Sequence, residues 1–161
     1  MPAARAFQTA APQPSERDLR TAFGRFATGV TFVTAEVDDA PLGMIVSSFA
    51  AVSLQPPLVS FCPSRDSLTW QRMRQAGQFT IHVLGARHGA WVRRAAPPGA
   101  DRFADRDVLR DALASIRCLL EAEHGAGDHT IVVGRVRDLR IDACAQPLVY
   151  FSGRFGHFIA S

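Results

Sequence analysis

The run SIRCLLEAEHGAGDHTIVVGRVRDLRI, Ser115 to Ile141, decides the fold class. It divides into two strand-prone runs, Ile116 to Glu123 and His129 to Ile141. Between them lies a turn, Gly125-Ala126-Gly127-Asp128. Strands joined by so short a connection run antiparallel, because a parallel pair needs a crossover of about a dozen residues or more. The second run is long enough to curve, and Gly134 within it reads as a bulge.

The same pattern continues on both sides. Downstream, Pro147 to Phe151 and Phe155 to Ile159 form a closing hairpin around Ser152-Gly153-Arg154. Upstream, Val30 to Val37 is rich in β-branched residues, and Asp38 to Pro41 is a turn. Gly43 to Leu54 mixes small, apolar and hydroxyl residues until Pro56-Pro57 stops it. Leu58 to Cys62 and Phe79 to Leu84 are further strands.

Helices interrupt this series. Ser15 and Asp18 have capping-box spacing. Leu19, Phe23 and Phe26 then make one apolar stripe, and Gly29 is placed to end the helix. Asp66 is placed to cap a second helix through about Gln75, closed by Gly77. Residues 86–95 read as helical and 101–114 as polar and partly helical. Residues 1–14, rich in Ala, Pro and Gln, read as a flexible arm before a single domain at 15–161. About seven strands and two or three helices do not alternate as βαβ units. The expectation is a mostly β fold, an antiparallel barrel with flanking helices. No GxGxxG follows a strand, so a Rossmann nucleotide site is not supported.

Composition narrows the chemistry. The chain has 161 residues, 47% of them hydrophobic, enough for one real core. Its formal charge of +3 argues for neither nucleic acid nor membrane. Every basic residue is Arg, which removes lysine Schiff bases and the P-loop lysine; anions must be met by Arg, backbone N–H groups or hydroxyls. Cys62, Cys118 and Cys144 form no CxxC pair. Neither a metal site nor a disulfide framework is indicated, and a reducing cytoplasm is the expected compartment. No signal peptide and no membrane span are evident.

No catalytic constellation appears: there is no HExxH, no GxSxG and no partnered carboxylate pair. The histidines are scattered. What remains is cofactor binding, in which the protein supplies a pocket and the cofactor supplies the reaction. Three segments qualify. Gly43 to Ser53 joins small residues to the hydroxyls of Ser47, Ser48 and Ser53. Cys62-Pro63-Ser64-Arg65-Asp66-Ser67 passes from a strand into a helix start, where N–H groups and one Arg suit a phosphate. Tyr150 to His157 presents Arg154 and His157 on a tight turn. The alternatives are an ordinary strand, a plain helix cap by Asp66 or Ser67, and a hairpin with surface charges.

Taken in order, these segments resemble the short-chain flavin reductase family. The matching stretches are Phe23 to Thr31, Gly43 to Ser53, Pro56-Pro57-Leu58-Val59, Asp101-Arg102-Phe103, Gly127 to Ile131 with Gly134-Arg135-Val136, and Pro147 to Phe151 with Gly153 to Gly156. The resemblance implies an FMN-binding split barrel of Greek-key type that forms a homodimer. It implies hydride transfer from NADH or NADPH to FMN or FAD, with reduced flavin passed to a monooxygenase or halogenase. Met44, Ile45, Val46, Ser47 and Ser48 are then expected beside the isoalloxazine ring, with Ser53 as a further hydroxyl on the same segment. Ser64, Arg65 and Ser67 are expected at the flavin phosphate, with Cys62 beside them. His129, Arg154 and His157 are expected to face the nicotinamide nucleotide. Ile45, Ala50 and Ala51 stand where many relatives carry hydroxyls, a loss of about 0.5–1.5 kcal/mol for each neutral hydrogen bond. That departure keeps a non-enzymatic flavin-binding protein as the alternative; an oxidase of the pyridoxamine-phosphate type is a second.

Overall fold

A computed structural model describes residues 13–104, 106–142 and 146–159, with backbone alone at 106–108. Residues 1–12 of the expected arm at 1–14, and Cys144, lie outside the described residues.

Helix α1 (Glu16–Phe23) leads into β1 (Thr28–Gly29), β2 (Thr31–Val37), β3 (Ala40–Val46), β4 (Ala50–Leu54) and β5 (Pro57–Phe61). Helix α2 (Leu68–Met73) precedes β6 (Gln78–Val83), and α3 (Gly89–Ala95) follows it. The chain closes with β7 (Ala114–Ala126), β8 (His129–Ile141), β9 (Leu148–Phe151) and β10 (Arg154–His157). Seven strands form one antiparallel sheet in the order β3-β2-β6-β7-β8-β5-β4. A smaller sheet has the order β1-β9-β10. Strand β5 lies beside β8, the last of the consecutive run β6-β7-β8, which is a Greek-key arrangement.

The two edge strands, β3 and β4, are consecutive in the chain. A flat seven-stranded sheet would hold its edges about 29 Å apart. The four steps from Val46 to Ala50 span at most about 14 Å. The sheet therefore curls, and Ser47-Ser48-Phe49 crosses the split between its edges. The stretch Gly43 to Leu54, continuous in composition, is two strands on opposite edges.

The barrel interior is built by alternation. Val33, Phe61, Phe79, Ile81, Cys118 and Val132 point inward, and α2 closes one end with Trp70 and Met73. The rings of Phe61, Trp70 and Phe79 meet edge to face, with centroids 5.2–6.0 Å apart. A second cluster, with Val30, Phe32, Leu84, Trp91 and Leu148, lies outside the barrel under α3.

Several boundaries differ from expectation. Helix α1 ends at Phe23 rather than near Gly29. The carbonyl of Gly24 accepts the Ser152 N–H at 2.9 Å, and Thr28–Gly29 are drawn into pairing with β9. Ser67 rather than Asp66 caps α2, its hydroxyl accepting the Trp70 N–H at 3.2 Å. The β7–β8 turn is tighter than read, with Gly127 at φ 62°. The register shifts fall at Glu121 and Arg137, not at Gly134. Gly134 serves close packing, because a Cβ there would stand 2.6 Å from the Phe79 ring.

Candidate functional site

The crossing at the split sets up the site. Ser48 fastens it: its Oγ accepts the Cys62 N–H at 2.9 Å and donates to the Cys62 carbonyl at 3.4 Å. Ser47, one residue earlier, is exposed. Beyond Cys62 the loop is pinned to the β7–β8 turn. Thr130 N–H donates to the Pro63 carbonyl at 3.0 Å and Arg65 N–H to the Asp128 carbonyl at 3.0 Å. Ser64 makes an isolated bridge with His129, and the Arg65 guanidinium reaches the Gly127 carbonyl at 3.3 Å. Gln71 Nε2 donates to the Arg65 carbonyl at 3.2 Å, tying the loop to α2.

His129 Nδ1 lies 2.7 Å from Asp128 Oδ1. That hydrogen bond, with the charge of the ring, holds the Asp128 carboxyl below its ordinary range. It also fixes the imidazole, so that Nε2 is the ring nitrogen left for other partners. Burial pushes the Cys62 thiol upward, away from a reactive thiolate.

Three open cavities surround this edge. The largest, about 1130 Å³, is walled by α1, Thr28, Ser47, His129 and Tyr150. A second, about 680 Å³, lies across the β7–β8 turn between Arg65, Gln71 and Arg74. A third, about 480 Å³, holds Arg154 and His157 on β10 and meets the first at Arg25 and Ser152.

The fold thus brings Ser47, Ser48, Cys62, Ser64, Arg65, Ser67 and His129 to one edge of the barrel. It sends others elsewhere. Met44 and Val46 pack into the barrel core, and Ile45 packs against the outer cluster. A hydroxyl at position 45 would face apolar side chains there. Ser53 stands at the far end of β4, where its Oγ accepts the Gln55 N–H at 3.2 Å. Arg154 and His157 share a cavity with each other but not with His129.

Sequence reasoning did not single out Thr28. Its Oγ1 is buried and has no hydrogen-bond partner among the described residues, although the residue lines the largest of these cavities. An unpaired buried hydroxyl costs about 1–3 kcal/mol, and turning the Thr28 side chain toward a polar ligand atom in the cavity would relieve it. The one available signal was a hydroxyl between Ala27 and Gly29 in a run otherwise fit for a core. The surface therefore suits a ligand with both a polar ring edge and an anionic end. Thr28, Ser47 and His129 would meet the first, and Arg65 with Ser64 and Ser67 the second.

Comparison with known proteins gives the same direction. Residues 23–158 match the flavin reductase like domain family. The chain is 37% identical over 148 residues to the reductase subunit HsaB of a flavin-dependent monooxygenase from Rhodococcus jostii, covering 86% of this chain and 76% of that one. It is 41% identical over 154 residues to the FMN reductase (NADH) SmoA of Agrobacterium fabrum, covering 89% and 87%. It superposes on the NADH:FAD oxidoreductase SgcE6 of Streptomyces globisporus with a TM-score of 0.83 at 32% identity, covering 99% and 100%.

Proposed function

The chain belongs to the flavin reductase like family, and from that membership we propose how its surface carries out the reaction. It is an NAD(P)H-dependent flavin reductase, and its relatives include reductase components of two-component monooxygenases. The non-enzymatic alternative has no support among them. When bound, the nicotinamide supplies a hydride and the flavin accepts it. The chain's own residues bind and align.

In this reading, Ser47, Thr28 and His129 hold the polar edge of the flavin ring and the nicotinamide beside it. Arg65 and Ser67 hold the flavin phosphate: the Ser67 oxygen already accepts from Trp70 N–H, so its own hydrogen is left to donate. Catalysis then comes from proximity and orientation, and no side chain need exchange a proton with substrate. The single observation that carries the reading is the meeting of Thr28, Ser47 and His129 on one cavity wall, with the buried Thr28 hydroxyl unpartnered among the described residues.

The assembly proposed is a homodimer. Val52 and Leu54 on β4, Leu119 on β7 and Ile131 on β8 leave apolar side chains exposed, with Leu54 92% exposed. Exposed apolar side chains on three strands of one sheet favour association, and twofold pairing is the commonest solution. A monooxygenase or halogenase is the proposed recipient of reduced flavin. No described helix is long and apolar enough to cross a membrane; free Cys62 and Cys118 suit the reducing cytoplasm proposed as its compartment.

The test is NADH or NADPH oxidation by purified protein with added FMN or FAD, repeated on Arg65→Ala. The expected result is turnover with free flavin. The variant's flavin dissociation constant should rise roughly tenfold, the lower end for a charge-assisted contact because Arg65 is exposed. Equal dissociation constants would remove Arg65 from the site.

A further inference from the structure

Helix α1 contradicts the usual logic of an amphipathic helix. None of its residues is buried: Leu19 is 37% exposed and Phe23 70%, with Phe26 just beyond the helix 77% exposed. The same helix forms one wall of the cavity that contains Ser47 and His129. That wall is basic. Arg17, Arg20 and Arg25 line it with one acid, Glu16, and Glu16 approaches only Arg20, at 3.8 Å. Among the described residues neither Arg17 nor Arg25 has a carboxylate partner. After the hydrogen bond and charge of His129, the charge of Arg20 also helps hold the Asp128 carboxyl below its ordinary range.

We propose that α1 and Arg25 form the binding wall for the pyrophosphate of the nicotinamide dinucleotide, with Phe23 and Phe26 offering ring faces to its bases. The inference rests on the reading of this surface as a flavin reductase site. A dinucleotide pyrophosphate carries two negative charges, and the three arginines lining the cavity outnumber the acids near them, Glu16 and Asp128. The flavin phosphate is assigned to Arg65 and Ser67, which lie outside this cavity. FMN therefore leaves the α1 arginines without an anion; FAD has a second phosphate and an adenine of its own, and a loss of FAD affinity in the variant below would assign the wall to the flavin and overturn the proposal. A second copy with α1 on the twofold axis would set arginine against arginine, which disfavours that one arrangement as the occupant. Exposed aromatic faces beside arginines suit stacked bases.

The experiment measures steady-state kinetics of wild type and the Arg17→Gln/Arg20→Gln double variant at saturating flavin. Two hydride donors are compared: NADH, and N-benzyl-1,4-dihydronicotinamide, which has no phosphate. The expected result is a KM for NADH raised about tenfold with kcat little changed, since the pyrophosphate is remote from the reacting carbon. The wild-type KM should climb with added salt and the variant's should climb less. Kinetics with the phosphate-free donor and flavin affinity should not change. An unchanged KM for NADH, in a variant that folds and turns over, overturns the proposal and leaves the reductase reading intact. Equal losses with both donors also overturn it, because the arginines would then be structural. Failure of wild type to reduce flavin with either donor overturns the reading itself, and the proposal with it.

Discussion

Helices α1 and α2 start alike and end differently. Each is short and each is capped by a serine that accepts an N–H three residues on at 3.2 Å, Ser15 from Asp18 and Ser67 from Trp70. Helix α2 spends its apolar side on the barrel. Trp70 is 3% exposed, lies edge to face against Phe61 and Phe79, and donates its indole N–H to Glu123 at 2.9 Å. Helix α1 buries nothing. Local propensity makes both helices; only the tertiary surroundings decide which one stabilises the fold and which one is left for a ligand.

The comparison breaks most sharply at Trp70. Trp70→Ala should lower stability by about 3–5 kcal/mol, the usual cost of emptying a large aromatic site. It also strips Glu123 of a hydrogen bond, leaving its ion pair with Arg74 at 2.6 Å. Urea denaturation would read this as a lower midpoint at unchanged slope. A loss under 1 kcal/mol would mean that α2 does not close the barrel.

Acid should attack the barrel wall next. His82 on β6 stands between Thr34 Oγ1 at 3.1 Å and Ser115 Oγ at 3.0 Å, joining β2, β6 and β7. Burial, and then the charge of Arg140, push its pKa down to about 4 from an ordinary 6.5. Between those values the unfolded chain binds more protons than the folded one, so stability rises with pH. It should be complete above about 6.5 and fall by up to about 3 kcal/mol as the pH drops to about 4. His82→Gln should flatten that window in a series of melts. An equally steep acid loss in the variant would place the proton elsewhere.

The smallest stability effect belongs to α1. Phe23→Ala should change stability by less than about 0.5 kcal/mol, because the ring is already in solvent. It should nevertheless raise the KM for NADH. A drop in stability comparable with that of Trp70→Ala would show that α1 is packed in solution, and the contrast between the helices would disappear.

The sequence carried the elements better than their junctions. The β7–β8 hairpin was legible because β-branched runs and a glycine turn are local signals, and β8 begins and ends where the pattern does. The split was not legible. Nothing in the composition of Gly43 to Leu54 distinguishes one long strand from two on opposite edges of a sheet, since the decision depends on closure across seven strands. The loop from Ser64 to Ser67 was a candidate from its residue types and His129 only through the family resemblance, and the fold brings both to one edge. Met44, Ile45 and Val46 could not, because their inward and outward alternation follows from the register with β2. Thr28 and the arginines of α1 lay inside recognisable stretches, but their importance comes from an unmet hydrogen bond and an unburied face. Both are properties of the folded chain.

The most direct test of the central claim is hydride transfer observed on the protein. Wild type and one equivalent of FMN or FAD are mixed without oxygen with NADH carrying deuterium at the transferred position, or with ordinary NADH. The flavin absorbance is followed through a single turnover. The account predicts loss of one flavin absorbance per NADH, far faster than without protein and slower with the deuterated donor. Bleaching at the protein-free rate, with flavin bound, would contradict it.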